Sequence, residues 1–286
     1  MDERAALDLV GGLVASAGDD AAFVDGTVLT VDMLHETTDF PEGTTRYTAG
    51  WRSVGASLSD VAAMGARVTA AVAAYAAPDF DDEELGAFVE GASAVCEDAD
   101  AAYVGGDLDS HQEFTVATAA VGETDRRIGR DGAKPGDSVV VTGTLGRSAA
   151  ALRLFESGET GRANELFRFS PRVAAGVALG EYATAMMDSS DGLARSLHQL
   201  SEASDCGFAV DAAEIPVAPE LDALVDQPLE AATTFGEDFE LVATLPPEAV
   251  DDAREATPVP LSVVGEVVED GVTLDGEPLA DRGWTH

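Results

Sequence analysis

Lysine is almost absent from this chain of 286 residues: Lys134 stands alone, and the rest of its 16 basic side chains are arginines, set against 54 acids for a formal net charge of −38. Non-specific binding to nucleic acid or to an anionic membrane requires cations that displace counterions, so neither partner class is expected. Cysteine is nearly as scarce. Cys96 and Cys206 form no CxxC or other metal-spaced pair, which argues against a disulfide framework or thiolate metal site and fits a reducing cytoplasm. Long apolar runs are also missing, the longest being residues 68–77, far short of the ~20 residues that span a bilayer. Residues 1–17 lack a basic n-region, so neither an export signal nor a membrane segment is expected. The chain has no GxxxxGK[ST] loop and no HRD or DFG set, which sets aside the two commoner nucleotide-binding architectures.

What remains is a foldable chain, 45% hydrophobic, and its length suggests about two domains. Abundant acid with scarce lysine reads as adaptation to molar salt. At 1 M ionic strength the Debye length is ~3 Å, so carboxylate repulsion is screened while hydrated acids maintain solubility. Periodicity predicts strands over 27–33, 68–75, 101–104 and 114–121, with helices over 52–64 and 82–96. Residues 129–137 (GRDGAKPGD) form a Gly and Pro cluster that continues neither element, and a buried strand is expected over 138–142. The expected division is therefore 1–130 and 131–286. In the second part, helices are expected at 147–156, 171–183 and 191–204, and strands at 207–211, 239–244 and 261–268. The fold class is mixed α/β (α+β).

Some acids depart from the surface pattern by following short apolar runs or closing Gly-containing turns. They are Asp19 and Asp20, Asp32, Asp60, Asp107, Asp188 and Asp191, and Glu237 and Asp238. Each alone reads equally as a cap, a turn or a solvated acid. Carboxylates that converge without matching bases repel unless cations lie between them, and an oxygen-only donor set selects hard ions, usually Mg²⁺. His35, His111, His198 and His286 are scattered and read as surface or packing residues. Lys134 reads as a turn residue paired to Asp131 or Asp137, or as a phosphate contact.

The ordered set is more specific than any member: GDDAA (18–22), DMLHETTDF (32–40), LSDVAAMGA (58–66), GGD (105–107), GAKPGD with VTGTLGRSAA (132–150), SPRV (170–173), MDSSDGL (187–193) and GEDFEL (236–241). In this order they resemble thiamine-monophosphate kinases, members of the aminoimidazole ribonucleotide synthetase-like superfamily. The resemblance implies a two-domain fold with an N-terminal mixed-sheet domain for ATP and Mg²⁺, a C-terminal α/β domain, and a homodimer formed through the N-terminal domains. It implies ATP as co-substrate, several Mg²⁺ ions and thiamine monophosphate as acceptor.

By motif, Asp20, Asp32, Asp60, Asp107 and Asp188 resemble Mg²⁺ ligands, with Thr30 a further one and Asp191 near the nucleotide. Asp32, Asp60, Asp107 and Asp188 form the catalytic set in that resemblance. Gly106, Asp107, Arg130 and Ser190 match ATP contacts, while Asp39, Glu237 and Trp284 match positions at the substrate. Two departures stand out: Asp39-Phe40 replaces the His-Phe of many relatives, and Thr30-Val31-Asp32 replaces a Ser-Thr-Asp type of run. Two alternatives remain at this stage: another ATP-using synthetase of the superfamily, or a non-catalytic protein that binds a nucleotide or thiamine diphosphate.

Overall fold

The computed structural model describes residues 9–14 and 17–283. Strict alternation shapes the first sheet. Strands β1 (Ala22–Val24), β2 (Thr27–His35), β3 (Arg67–Ala77), β4 (Ala102–Ser110) and β5 (Thr115–Glu123) pair in the order β1-β2-β5-β3-β4, all antiparallel except β3 with β4. Along β2, Val28 and Thr30 are buried on the inner face, whereas Leu29, Val31 and Met33 alternate onto the outer face, with Val31 73% exposed. Helices α1 (Arg46–Ala63) and α2 (Asp82–Asp98) cover the inner face through Val54, Leu58, Val61, Phe88 and Val95. Helix α1 begins at Arg46, earlier than the expected 52, because Thr45 caps it by accepting the Thr48 N–H at 3.2 Å.

The two helices meet backbone to backbone. A Cβ on Gly91 would lie 1.9 Å from the Tyr47 carbonyl oxygen, and one on Gly50 would lie 2.1 Å from that of Phe88. Gly91→Ala is therefore expected to force the helices apart and lower stability by about 1–3 kcal/mol, read as a lower denaturant midpoint in molar KCl. An unchanged midpoint would show that this close approach is not required.

The second sheet joins β6 (Ser138–Thr142), β7 (Ala185–Asp188), β8 (Gly207–Val210), β9 (Leu241–Leu245), β10 (Leu261–Val268), β11 (Val272–Leu274) and β12 (Glu277–Pro278) in the order β12-β11-β8-β10-β6-β9-β7. Its central strands are buried on both faces, which explains the unbroken apolar run of β6. Val140 joins the core containing α1, while Val139 and Val141 pack with Leu193, Leu197 and Leu200 of α6. Helices α3 (Arg147–Glu156), α4 (Thr160–Phe167), α5 (Val173–Leu179) and α6 (Leu193–Ser204) complete the parts used below. Helix α5 is shorter than the expected 171–183 and stops before Gly180, and α6 starts after Gly192, whose φ of 102° no other residue type readily adopts. Helix α1 is thus clasped between the two sheets. Among the described residues no helix is long and apolar enough to cross a membrane.

Candidate active site

The side chains of α1 that face the seam between the sheets are Ser57, Ser59 and Asp60. Asp60 Oδ2 accepts the Thr30 hydroxyl of β2 at 2.5 Å, Ser57 donates to Asp32 of β2 at 2.5 Å, and Ser59 donates to Asp188 at the end of β7 at 2.7 Å. One helix therefore fixes carboxylates from both sheets. Asp20, just before β1, completes the group: one carboxylate oxygen each from Asp20, Asp60 and Asp188 lies within 4.8 Å of the others.

Burial pushes the Asp60 carboxyl well above the usual carboxylate range, and the charges of Asp32, Asp188 and Asp20 push it further. Asp188 is raised well above its ordinary value by burial and then by Asp20, while Asp32 is raised by burial and by the charge of Glu237 against the Ser57 hydrogen bond. Buried, mutually repelling and all-oxygen, this donor set suits a hard divalent cation. The acids do not collect at the strand ends of one sheet. Asp32 lies within β2 and Asp60 on a helix, so the meeting point is the seam that α1 bridges.

Arg130 closes one side of the group. Its guanidinium grips Asp20 at 2.6 and 3.4 Å, and its backbone N–H donates to Asp19 at 2.8 Å. Burial by itself would lower its pKa, but Asp20, followed by Asp188 and Asp19, holds it above the ordinary arginine value. Asp19 also pairs with Arg127 at 2.5 Å.

Gly106 and Asp107 stand apart from the cluster. They lie inside β4 and not in a turn after it, on the edge strand separated from β2 by β5 and β3, and Asp107 is exposed with Oδ1 accepting the Leu108 N–H at 2.9 Å. The strand bulges at this point, and a Cβ on Gly106 would lie 1.7 Å from the Ala73 carbonyl oxygen, so only glycine fits.

The MDSSDG and GEDFEL motifs lie side by side. The Glu237 N–H donates to the Ser190 carbonyl at 2.6 Å, and the Ser189 N–H to the Glu240 carbonyl at 2.8 Å. All three acids of the second motif are engaged. Glu237 pairs with Arg52, Glu240 takes both arms of Arg172 at 2.5 and 2.6 Å, and Asp238 accepts the Gly146 and Ser148 N–H groups that open α3. Burial pushes the Asp238 carboxyl up to about 7. Asp39 accepts the His35 N–H at 2.7 Å, and its charge reaches Arg52, so Asp39 and Glu237 share one end of the seam. Asp191 sits between β7 and α6, and the chain's approach to its C-terminus passes it: a Cβ on Gly283 would lie 2.8 Å from the Asp191 carbonyl oxygen. Trp284 lies outside the described residues.

The remaining candidates behave as ordinary residues. His35 Nδ1 is 3.0 Å from the Thr115 hydroxyl, His198 Nε2 is 2.8 Å from the Leu279 carbonyl oxygen, and the backbone N–H of Lys134 donates to Asp137 in a turn. Cys96 and Cys206 are buried free thiols. Sequence reasoning missed Ser57, Ser59, Arg52 and Arg127. The two serines had a usable signal, since they flank Leu58 immediately before Asp60, while the arginines had none.

An acid-lined seam between a five-stranded and a seven-stranded mixed sheet defines a two-domain α/β protein. The model of the AIR synthase related protein N-terminal domain matches residues 18–124, and that of the C-terminal domain matches 134–276. A thiamine-monophosphate kinase of Halobacterium salinarum is 69% identical, covering 100% of both chains, in keeping with the salt-adapted composition. One of Methanospirillum hungatei is 38% identical over 100% of this chain and 99% of its own. A solved structure described as AaThiL complexed with AMPPCP and TMP superposes with a TM-score of 0.90 at 30% identity, covering 99% of this chain and 96% of the other. The chain belongs to the thiamine-monophosphate kinase family.

Proposed function

We propose that this protein transfers the γ-phosphoryl group of ATP in line to the phosphate of thiamine monophosphate, giving thiamine diphosphate and ADP, with several Mg²⁺ ions held at the seam. Family membership supports the kinase class, and the relative described with AMPPCP and TMP supports the pair of substrates. The observation that carries the metal reading is the convergence of Asp20, Asp60 and Asp188 within 4.8 Å, with their buried like charges. Bound Mg²⁺ would neutralise the polyphosphate and orient the transfer.

Asp20, Thr30, Asp32, Asp60, Asp188 and Asp191 are the proposed ion-holding residues of the seam, and Asp107, which lies apart on β4, is a proposed ion ligand outside it. In β2 the hydroxyl falls on Thr30, on the inner face beside Asp32, so the apolar Val31 removes no group from the seam. Gly106, Asp107, Arg130 and Ser190 are assigned to the nucleotide, and Asp39, Glu237 and Trp284 to the thiamine end. The acceptor phosphate, with a second pKa of about 6, is largely anionic at neutral pH, so no strong general base is required.

We assign residues 1–130 to a nucleotide and dimerisation domain and 131–286 to a C-terminal domain. The outer face of the first sheet supports a homodimer, since Leu29, Val31, Met33, Val72 and Val104 are all exposed there. Two buried, unpaired cysteines support a cytoplasmic location.

The test is ADP release from Mg-ATP in molar KCl with thiamine monophosphate, thiamine, selenide and phosphoribosyl acceptors. Thiamine monophosphate alone is expected to support turnover, with one thiamine diphosphate per ADP. Preference for another acceptor would favour a superfamily synthetase, and binding without turnover would favour a non-catalytic protein.

A further inference from the structure

Arg52 is 1% exposed, among the most thoroughly buried large side chains of the molecule, and it lies on α1 about two turns before Asp60. Its guanidinium donates through one nitrogen to the Phe167 carbonyl and through the other to both the carbonyl and the carboxylate of Glu237. Phenylalanine rings surround it. The Phe167 centroid is 3.6 Å away, Phe169 5.1 Å and Phe239 5.7 Å, with Phe169 and Phe239 stacked on each other at 4.2 Å. Its Nε has no hydrogen-bond partner.

A buried ion pair of this kind is weak evidence for stability, because desolvation offsets most of the Coulombic gain and an apolar pair of similar volume often does as well. What the pair does achieve is geometric. Glu237 has a φ of 70° and Phe239 a φ of 53°, left-handed conformations that persist only where the surroundings over-determine them. With one arm of its planar fork on the Phe167 carbonyl and the other on both the carbonyl and the carboxylate of Glu237, Arg52 ties the backbone and the side chain of Glu237 to the end of α4. It is also the counter-charge in an acidic neighbourhood. Asp39 and Asp238 act on Arg52, and Glu237 acts on Asp32, so without the guanidinium these carboxylates would drive one another apart. The Glu237 side chain nevertheless remains 11% exposed, presenting an edge to the seam.

We infer that Arg52 is a positioning residue for substrate recognition: it holds the Glu237 carboxylate in one orientation against the thiamine end of the acceptor. This rests on the assignment of Glu237 to that end. Lysine keeps the charge but has no planar fork with which to hold the Phe167 carbonyl and Glu237 at the same time.

The experiment is a double-mutant cycle in molar KCl on the full chain, measuring kcat and both KM values for Arg52→Lys, Glu237→Gln and the double variant. Arg52→Lys is expected to raise KM for thiamine monophosphate by about ten-fold with KM for ATP within about two-fold, and to add less than about two-fold once Glu237 is already Gln. Equal changes in both KM values, or the same increase in both backgrounds, would overturn the inference. If Glu237→Gln alone leaves KM for thiamine monophosphate at the wild-type value, the Glu237 assignment fails, and the positioning role through it fails with it. If Glu237→Gln raises that KM and Arg52→Lys does not, the assignment stands and only the role of Arg52 is lost. Should Arg52→Lys fail to fold, Arg52→Met with Glu237→Gln replaces it. A KM equal to that of Glu237→Gln alone then supports the inference, and a further rise overturns it.

Discussion

Replacing Asp60 by asparagine is expected to lower kcat by about 10² or more while the protein still folds. The substitution keeps the shape of the side chain and leaves an oxygen to accept the Thr30 hydroxyl, which lies 2.5 Å from Asp60 Oδ2. It removes one unit of negative charge from the group formed with Asp20 and Asp188. If that group balances cations in the transition state, the lost charge falls on the chemical step and not on substrate binding alone.

Stability supplies a second readout with the opposite sign. The folded-state pKa of Asp60 is raised, first by burial and then by Asp32, Asp188 and Asp20. The native protein therefore holds this proton more tightly than the unfolded chain. The stability this group contributes is greatest below the ordinary carboxylate pKa of 3.8 and is lost as pH rises from there towards the raised native value. At neutral pH with a chelator present, Asp60→Asn is thus expected to melt no lower than wild type. Its gain in Tm on adding Mg²⁺ should be smaller than that of wild type, because ligand stabilisation follows affinity for the native state. Near wild-type kcat with an unchanged Mg²⁺ requirement would refute the role. It would also weaken the assignments of Asp20, Asp32, Asp107 and Asp188, which stand on the same pattern.

The second large effect is on the whole fold. Transfer from 3 M to 0.1 M KCl is expected to lower the melting temperature by about 10 °C or more, up to unfolding at room temperature, with recovery when salt is restored. The net charge of −38 is not neutralised locally. Several arginines are already committed on the surface, as in Arg153–Glu156 at 2.7 Å, Arg162–Glu159 at 2.6 Å and Arg254–Asp251 at 3.1 Å, and exposed pairs of this kind contribute little. Acids also outnumber bases locally, as at the start of α2, where Asp82, Glu83 and Glu84 follow the capping Asp81 and Arg46 reaches Glu84 at 3.3 Å. Lengthening the Debye length from ~2 to ~10 Å brings such neighbours into mutual repulsion. The scan is run in chelator so that ion binding at the seam does not mimic screening. A melting temperature that does not change across the range would show that the acids are not a salt adaptation.

The sequence and the structure divide the remaining questions unevenly. Features that depend on local spacing were legible. Period-two alternation in β2 places Thr30 and Asp32 on one face and Val31 on the other, and the run of β6 marks a strand buried on both sides. Motif order alone was enough to find the family. Element lengths were less legible. Helix α1 gained its first turns from the Thr45 cap, and β4 continues through GGD because a bulge at Gly105, with φ of 119°, lets the strand carry on beside β3.

By itself, then, the sequence determined the acidic, lysine-poor composition, the mixed α/β class, the family and the identities of the acids, because composition, periodicity and ordered motifs are properties of neighbours along the chain. Only the tertiary structure decided which of those acids meet: Asp20, Asp60 and Asp188 converge while Asp107 lies on a distant edge strand. It alone also paired Ser59 with Asp188 across 129 positions and Arg52 with Glu237 across 185. The physical reason is that these contacts depend on how one helix is clasped between two sheets, and that packing is set by the summed burial of residues from both halves of the chain, which no local spacing encodes.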